Sequence, residues 1–147
     1  MSAVSWEIEM SARALLVGLS LLAGCGSGER SFEGPRRLGG QEISADVLNR
    51  GEFVFVRHCR GCHGQRGEGD GHYASSMQPR PADLTRGQYP RTWGDRPGLP
   101  DDAALRRVIV EGIEGTAMIP LDLPEAELEA VVQYLKTLSP VWSQDVQ

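Results

Sequence analysis

Apolar residues gather along this chain in four stretches, and their spacing predicts different elements. In residues 125–138, EAELEAVVQYLKTL, they fall at Leu128, Val131, Val132, Leu135 and Leu138. Steps of three and four put them on one stripe, so an amphipathic helix is predicted. Pro124 suits its first turn, Asp122 with Glu125 predicts a capping pair, and Pro140 ends it. Residues 101–111, DDAALRRVIVE, predict a second helix with Asp101 or Asp102 as cap and Leu105, Val108 and Ile109 on one face. Residues 46–58 carry Val47, Leu48 and the run FVFV at 53–56. By propensity FVFV reads as a strand; we assign helix because of the motif that follows it. The fourth stretch, ALLVGLSLLA at 14–23, has the length of a signal-peptide core and falls short of the about 20 residues that span a bilayer.

Polar, glycine-rich segments separate these stretches. Residues 26–45, GSGERSFEGPRRLGGQEISA, show no periodicity and predict a flexible linker, spanning roughly 25 Å root-mean-square for about 20 residues. Residues 86–100 contain three prolines and three glycines and read as loop. The expected organisation is therefore a signal peptide over 1–24, a linker over 25–45, a folded domain over 46–140 and a tail over 141–147. Glu7 and Glu9 are out of place ahead of a signal core, whereas a start at Met10 leaves only Arg13 before it. The run ends Leu22-Ala23-Gly24-Cys25, which resembles a bacterial lipobox. That resemblance implies cleavage before Cys25, lipid on its sulfur, and an exported protein anchored to a membrane and facing the periplasm or cell exterior. Several acyl chains hold stably, since each buried methylene adds about 0.8 kcal/mol.

Charge narrows the function. The chain of 147 residues has a formal charge of −5, which gives no reason to expect a nucleic-acid partner. Removing residues 1–24 takes away two negative charges and one positive one, so −5 becomes −4. Such a charge points to basic docking patches on protein partners.

The chemistry concentrates in RHCRGCHGQRGE at 57–68. The chain has three cysteines, and with Cys25 assigned to lipid one C-x-x-C pair remains, followed at once by His63. A structural zinc site needs four ligands; His58 and His72 do not complete a zinc-finger spacing. A thioredoxin-like pair needs a βαβ setting, and none is predicted. C-x-x-C-H is the attachment signature of c-type haem. Cys59 and Cys62, three apart on a helical turn, meet two vinyl groups along one porphyrin edge, and His63 then lies under the iron. The glycine-rich GEGDG that follows is expected to turn the chain away. The candidates for the iron's other face are Met77, Met118, His58 and His72. His58 is too near the proximal ligand, His72 reads as solvated, and Met77 reads as a packing residue. Met118 sits in EGIEGTAMIP, where Gly112 and Gly115 permit an irregular loop and Pro120 stiffens its exit, so Met118 is the expected ligand.

CRGCHGQRGEGDG, PRPADLT at 79–85, GIEGTAM at 112–118 and the last helix together resemble bacterial class I c-type cytochromes over about residues 48–139. The resemblance implies an all-α cytochrome c fold of three to five helices around one covalent haem c. It implies covalent attachment at Cys59 and Cys62, His63 and Met118 as axial iron ligands, and a carbonyl of Pro79 or Pro81 bonded to the His63 ring. It also implies that the first and last helices cross at a glycine, which Gly51, Phe55, Val131 and Tyr134 match. Ile119 stands where such domains often have proline after the methionine. Tyr89, Trp93, Arg91, Arg86 and Arg96 are candidate partners for a haem propionate. The implied function is an electron carrier rather than an enzyme, since two axial ligands leave no site for substrate, and methionine raises the potential relative to two histidines. Its partners are redox proteins or a membrane respiratory complex, with the membrane reached through the N-terminal lipid. The alternatives are a haem enzyme or gas sensor with an open sixth site, or a fixed haem subunit of a larger oxidoreductase.

Overall fold

The computed structural model describes residues 31–87 and 99–143, which belong to one unit, Ser31–Gln147. The signal segment, Met10, Cys25, Tyr89, Trp93, Arg91 and Arg96 lie outside the described residues.

Among the described residues four α-helices carry the fold: α1 (Ala45–His58), α2 (Arg60–His63), α3 (Asp102–Glu111) and α4 (Glu125–Thr137). The FVFV run is helical, inside α1. Leu48, Gly51, Val54 and Phe55 are buried on one face, while Phe53 is 61% exposed. The alternation that suggests a strand is therefore overridden by what the segment packs on. That partner is α4, buried at Leu128 and from Ala130 through Lys136. The two helices meet at Gly51, where an added Cβ would lie 2.1 Å from the Ala130 carbonyl oxygen. Only a residue without a side chain permits that approach. Phe55 and Tyr134 pack beside it with ring centroids 5.3 Å apart. Full burial of a side chain such as Phe55 stabilises by about 1.5–3 kcal/mol.

Asp101 is the cap of α3, its carboxylate accepting the Ala104 N–H at 2.8 Å. The predicted Asp122–Glu125 capping pair does not form, and no side chain caps α4. Glu125 instead accepts from a single Arg106 nitrogen, Nη2, at both its oxygens, 2.7 and 2.8 Å away, tying α4 to α3. A charged guanidinium N–H is a stronger partner for carboxylate than a neutral backbone N–H. At the start of α3, Lys136 donates to Asp102 and is shielded from water, its side chain being 3% exposed. Gln133 donates to Asp102 at 2.8 Å and accepts from Lys136 at 3.0 Å, completing the bonds a buried charge requires.

Two expectations need correction. The linker over 25–45 is not without structure, because β1 (Arg36–Leu38) and β2 (Gln41–Ile43) form an antiparallel hairpin. Gly39 and Gly40 take positive φ of 58° and 80°, as a two-residue hairpin turn requires. Leu38 and Ile43 are buried, and upstream Phe32 packs edge-on to Tyr134 while its N–H and C=O bond the Asn49 side chain. The tail over 141–147 also departs from expectation at its start. Trp142 is buried, and its carbonyl accepts the Gly39 N–H at 2.8 Å. Short segments like these give no periodic signal; what orders them is contact with α4. Among the described residues no helix is long and apolar enough to cross a membrane.

Candidate functional site

The site begins where α1 stops. Cys59 keeps a helical backbone and bonds back to Phe55 at 2.8 Å, and the N–H groups of Cys62 and His63 both reach the Cys59 carbonyl, at 3.1 and 2.9 Å. The two thiols and the imidazole therefore ride one turn. Both cysteines are free and half-buried. Burial, and then repulsion from Cys62, push the Cys59 thiol up to about 12, so it stays protonated at neutral pH. Such a thiol is unlike the acidic one of a redox C-x-x-C pair.

Burial also lowers the His63 pKa, a shift partly opposed by the bond to Ala82, so the ring is held neutral. His63 Nδ1 lies 3.3 Å from the Ala82 carbonyl oxygen. A carbonyl only accepts, so this contact favours the proton on Nδ1 and leaves the Nε2 lone pair free for a metal. The carbonyl anticipated at Pro79 or Pro81 thus belongs to Ala82 in this structure. Both prolines line the adjoining cavity.

The glycine-rich segment does not turn the chain away from the motif; it doubles back on it. Gly69 N–H bonds the His63 carbonyl, Gly71 the Cys62 carbonyl and Tyr73 the Gly61 carbonyl, at 2.8, 3.1 and 3.0 Å. Leu84 N–H bonds Gly67 at 2.7 Å, which clamps the 81–84 segment beside His63. Gly69 has φ of 75° and a Cβ there would sit 2.5 Å from the Pro81 oxygen, so the clamp needs glycine. Asp83 caps the turn Leu84–Arg86, accepting from Thr85 N at 3.0 Å and Thr85 Oγ1 at 2.6 Å.

Beside His63 opens a cavity of about 250 Å³ with mostly apolar walls. Phe55 and Leu135 close one side, and Leu105, Val108 and Ile109 of α3 another. Cys59, Cys62, His63 and Met118 all face it, and so does Met77, a second thioether that the sequence assigns only to packing. The loop bearing Met118 is bonded to itself. Ile113 N–H reaches the Met118 carbonyl at 2.8 Å, and Met118 N–H reaches Thr116 Oγ1 at 3.1 Å. Gly112, with φ of 70°, leaves no room for a Cβ beside the Met118 carbonyl.

Other predicted residues fall elsewhere. His58 and His72 are exposed, and the His72 ring meets Tyr73 edge-on at 5.0 Å. Arg86 pairs with Asp83 at 2.9 Å and does not line the cavity; Arg80 does. Sequence reasoning missed Arg80 and the Ala82 carbonyl. PRPADL marks the segment, but a backbone carbonyl leaves no trace in residue type.

Among the described residues no three of His, Cys, Asp and Glu gather as a metal cluster. The donor set is one neutral imidazole, thioethers and two thiols around an apolar cavity. That set fits a flat apolar group that brings its own metal and bonds to thiols. The fold and site define a small helical protein built around covalently attached haem. The chain belongs to the cytochrome c family, whose model matches residues 48–139. With Cys59, Cys62 and His63 in the C-x-x-C-H order, that membership implies covalent haem c, an electron-transfer role and a place outside the cytoplasm. A chain of the reducing HAO-like protein complex of Kuenenia stuttgartiensis is similar, with a TM-score of 0.58 and 34% identity over 67% of this chain and 47% of that one. This chain thus spans about half the length of that relative. No curated protein matches it.

Proposed function

We propose that this protein is a monohaem cytochrome that passes single electrons between redox proteins of a bacterial respiratory chain, with His63 and Met118 as axial ligands and lipid on Cys25 as its anchor. When bound, the haem supplies a one-electron iron couple. The chain's residues do the rest. Cys59 and Cys62 hold the group through their sulfurs. Ala82 orients the His63 ring, and Phe55, Leu105 and Ile109 exclude water. The single observation that carries the reading is the convergence of His63, Met118 and both thiols on one apolar cavity. With both axial positions filled by protein, a carrier or relay is favoured over a catalyst.

The absorption spectrum tests the ligand pair. We expect a weak far-red sulfur-to-iron band in the oxidised protein that disappears in Met118→Ala while the haem stays attached. A wild-type protein without that band, and with ready carbon monoxide binding when reduced, would make the site an open one and overturn the carrier reading. If the band survives Met118→Ala and is lost in Met77→Ala, the ligand is Met77.

The lipid reading rests on Leu22-Ala23-Gly24-Cys25. It predicts a mature protein beginning at a diacylated Cys25, and mass spectrometry that finds Cys25 unmodified removes it. The folded unit starts at Ser31, inside the stretch 25–45 expected as linker. The similar chain of Kuenenia stuttgartiensis comes from a protein complex, which favours service beside a redox partner. Co-purification after mild detergent extraction tests that.

A further inference from the structure

The contact between His63 Nδ1 and the Ala82 carbonyl spans 3.3 Å, so the direction of one carbonyl decides how well the ring is held. That carbonyl lies in the planar peptide unit that joins Ala82 to Asp83. Whatever fixes the backbone of Asp83 therefore aims the oxygen.

The structure holds this peptide from two sides. On one side stands the glycine-rich loop. Gly69 N–H bonds the His63 main-chain carbonyl at 2.8 Å, and a Cβ on Gly69 would lie 2.5 Å from the Pro81 oxygen and 3.3 Å from the Ala82 oxygen. The loop thus touches both ends of the contact, the residue that bears the ring and the peptide that meets it. On the other side Leu84 N–H bonds the Gly67 carbonyl at 2.7 Å, and the Leu84 side chain is buried against the same cavity.

Asp83 stands between these two holds, with φ of −77° and ψ of 103°. Its carboxylate accepts from Thr85 N at 3.0 Å, from Thr85 Oγ1 at 2.6 Å and from Arg86 Nε at 2.9 Å. An aspartate that bonds the N–H two residues on locks its own backbone into a turn. Asp83 does not line the cavity; its bonds run to the residues just after the peptide in question. Its side chain is 29% exposed, so the pair with Arg86 contributes little to stability. Its place in the chain matters more than its strength.

We propose that Asp83 is a positioning residue for the axial histidine: by capping Thr85 and Arg86 it aims the Ala82 carbonyl at His63 Nδ1, and so fixes the plane of the imidazole and its strength as a ligand. A carbonyl that accepts the Nδ1 proton makes Nε2 more basic, which favours ferric over ferrous iron. The inference rests on the reading of His63 as an iron ligand.

The test uses the full-length haem-loaded protein in neutral detergent, oxidised and followed by proton NMR. The spread of the four haem-methyl shifts follows the orientation of the axial imidazole plane, and the Nδ1 proton reports the Ala82 bond directly. Asp83→Asn and Asp83→Ala lose the same charge, but asparagine still accepts both bonds from Thr85, so their difference isolates the cap. Asp83→Asn is expected to keep the wild-type methyl pattern. Asp83→Ala is expected to change that pattern and to exchange the Nδ1 proton with solvent about tenfold faster, the low end of what losing such an outer partner costs. Its ferric–ferrous equilibrium is expected to lie about threefold further toward ferrous than that of Asp83→Asn, less than outright loss of the partner would give. Phe32→Ala, which loosens the segment packed on Tyr134, is expected to lower stability and leave both NMR readouts alone. Asp83→Ala with the methyl pattern and proton exchange of Asp83→Asn overturns the inference alone. Equal changes in Phe32→Ala overturn it too, because they would make the effect one of general stability. A wild-type Nδ1 proton without a paramagnetic shift removes His63 as ligand, and the inference with it.

Discussion

Two regions of this molecule are held together by different physics. In one, α1 crosses α4 with backbone nearly touching backbone at Gly51 and Ala130, and Phe55, Tyr134 and Phe32 close around the crossing. In the other, α2, the 77–82 segment, α3 and the Met118 loop surround a cavity of about 250 Å³. The first region is specified by side chains filling side-chain space. The second is specified by short hydrogen bonds within loops and by groups that turn toward the cavity. A protein that must hold a large flat group needs both: a rigid crossing to fix the direction of Cys59, and walls whose apolar faces are not spent on one another.

The comparison breaks first at the cavity. Replacing both cysteines, Cys59→Ala with Cys62→Ala, is expected to abolish covalent haem altogether, so that acid–acetone extraction strips all of it. The α1–α4 crossing is expected to survive this, leaving substantial helical signal. A complete loss of helix would mean that the two regions do not differ as argued. The converse change attacks the crossing. Gly51→Leu forces α1 off α4, because even one Cβ meets the Ala130 carbonyl at 2.1 Å. A loss of about 3 kcal/mol or more is expected in urea unfolding, beyond ordinary overpacking because the obstacle is backbone.

A smaller effect separates the edge of the crossing from its centre. Lys136→Met leaves Asp102 without its buried partner and is expected to cost about 2 kcal/mol, less than for a fully buried pair because the Asp102 side chain is 35% exposed. Adding Asp102→Leu should recover most of that; no recovery would show that the lysine acts through packing on Trp142, which lies 5.8 Å from its Nζ.

The smallest effect lies in the clamp beside His63. Hydrogen bonds from Thr85, with Arg86 nearby, hold the Asp83 carboxyl below its ordinary value. A carboxyl depressed in the folded state contributes stability above its unfolded pKa, and that contribution is lost as pH falls through the folded one. Asp83→Asn should therefore remove a small stabilisation at neutral pH, leave strongly acid pH nearly unchanged, and so flatten the acid limb of the stability profile slightly. An equal loss at every pH would show that the cap, and not the charge, is what matters.

The region that the sequence discloses best is the chemistry. C-x-x-C-H names its cofactor because attachment needs two sulfurs at a fixed spacing and a base next to them, and local spacing survives in a linear string. The α4 stripe and the Asp101 cap are legible for the same reason: their causes lie within four residues. FVFV was ambiguous because its state depends on α4, eighty residues away in the chain. The hairpin was readable in part, since Leu38-Gly39-Gly40-Gln41 is a turn signal, but nothing local says that Leu38 and Ile43 find a surface to cover.

The sequence by itself determined the covalent attachment motif, two of the long helices and the net charge, all properties of neighbouring residues or of simple counting. Tertiary structure alone decided that Gly51 is the contact point, that Ala82 supplies the carbonyl beside His63, and that Met77 shares the cavity with Met118. These depend on which distant segments meet. That is set by burying apolar surface at close packing, and no single stretch of chain carries the information.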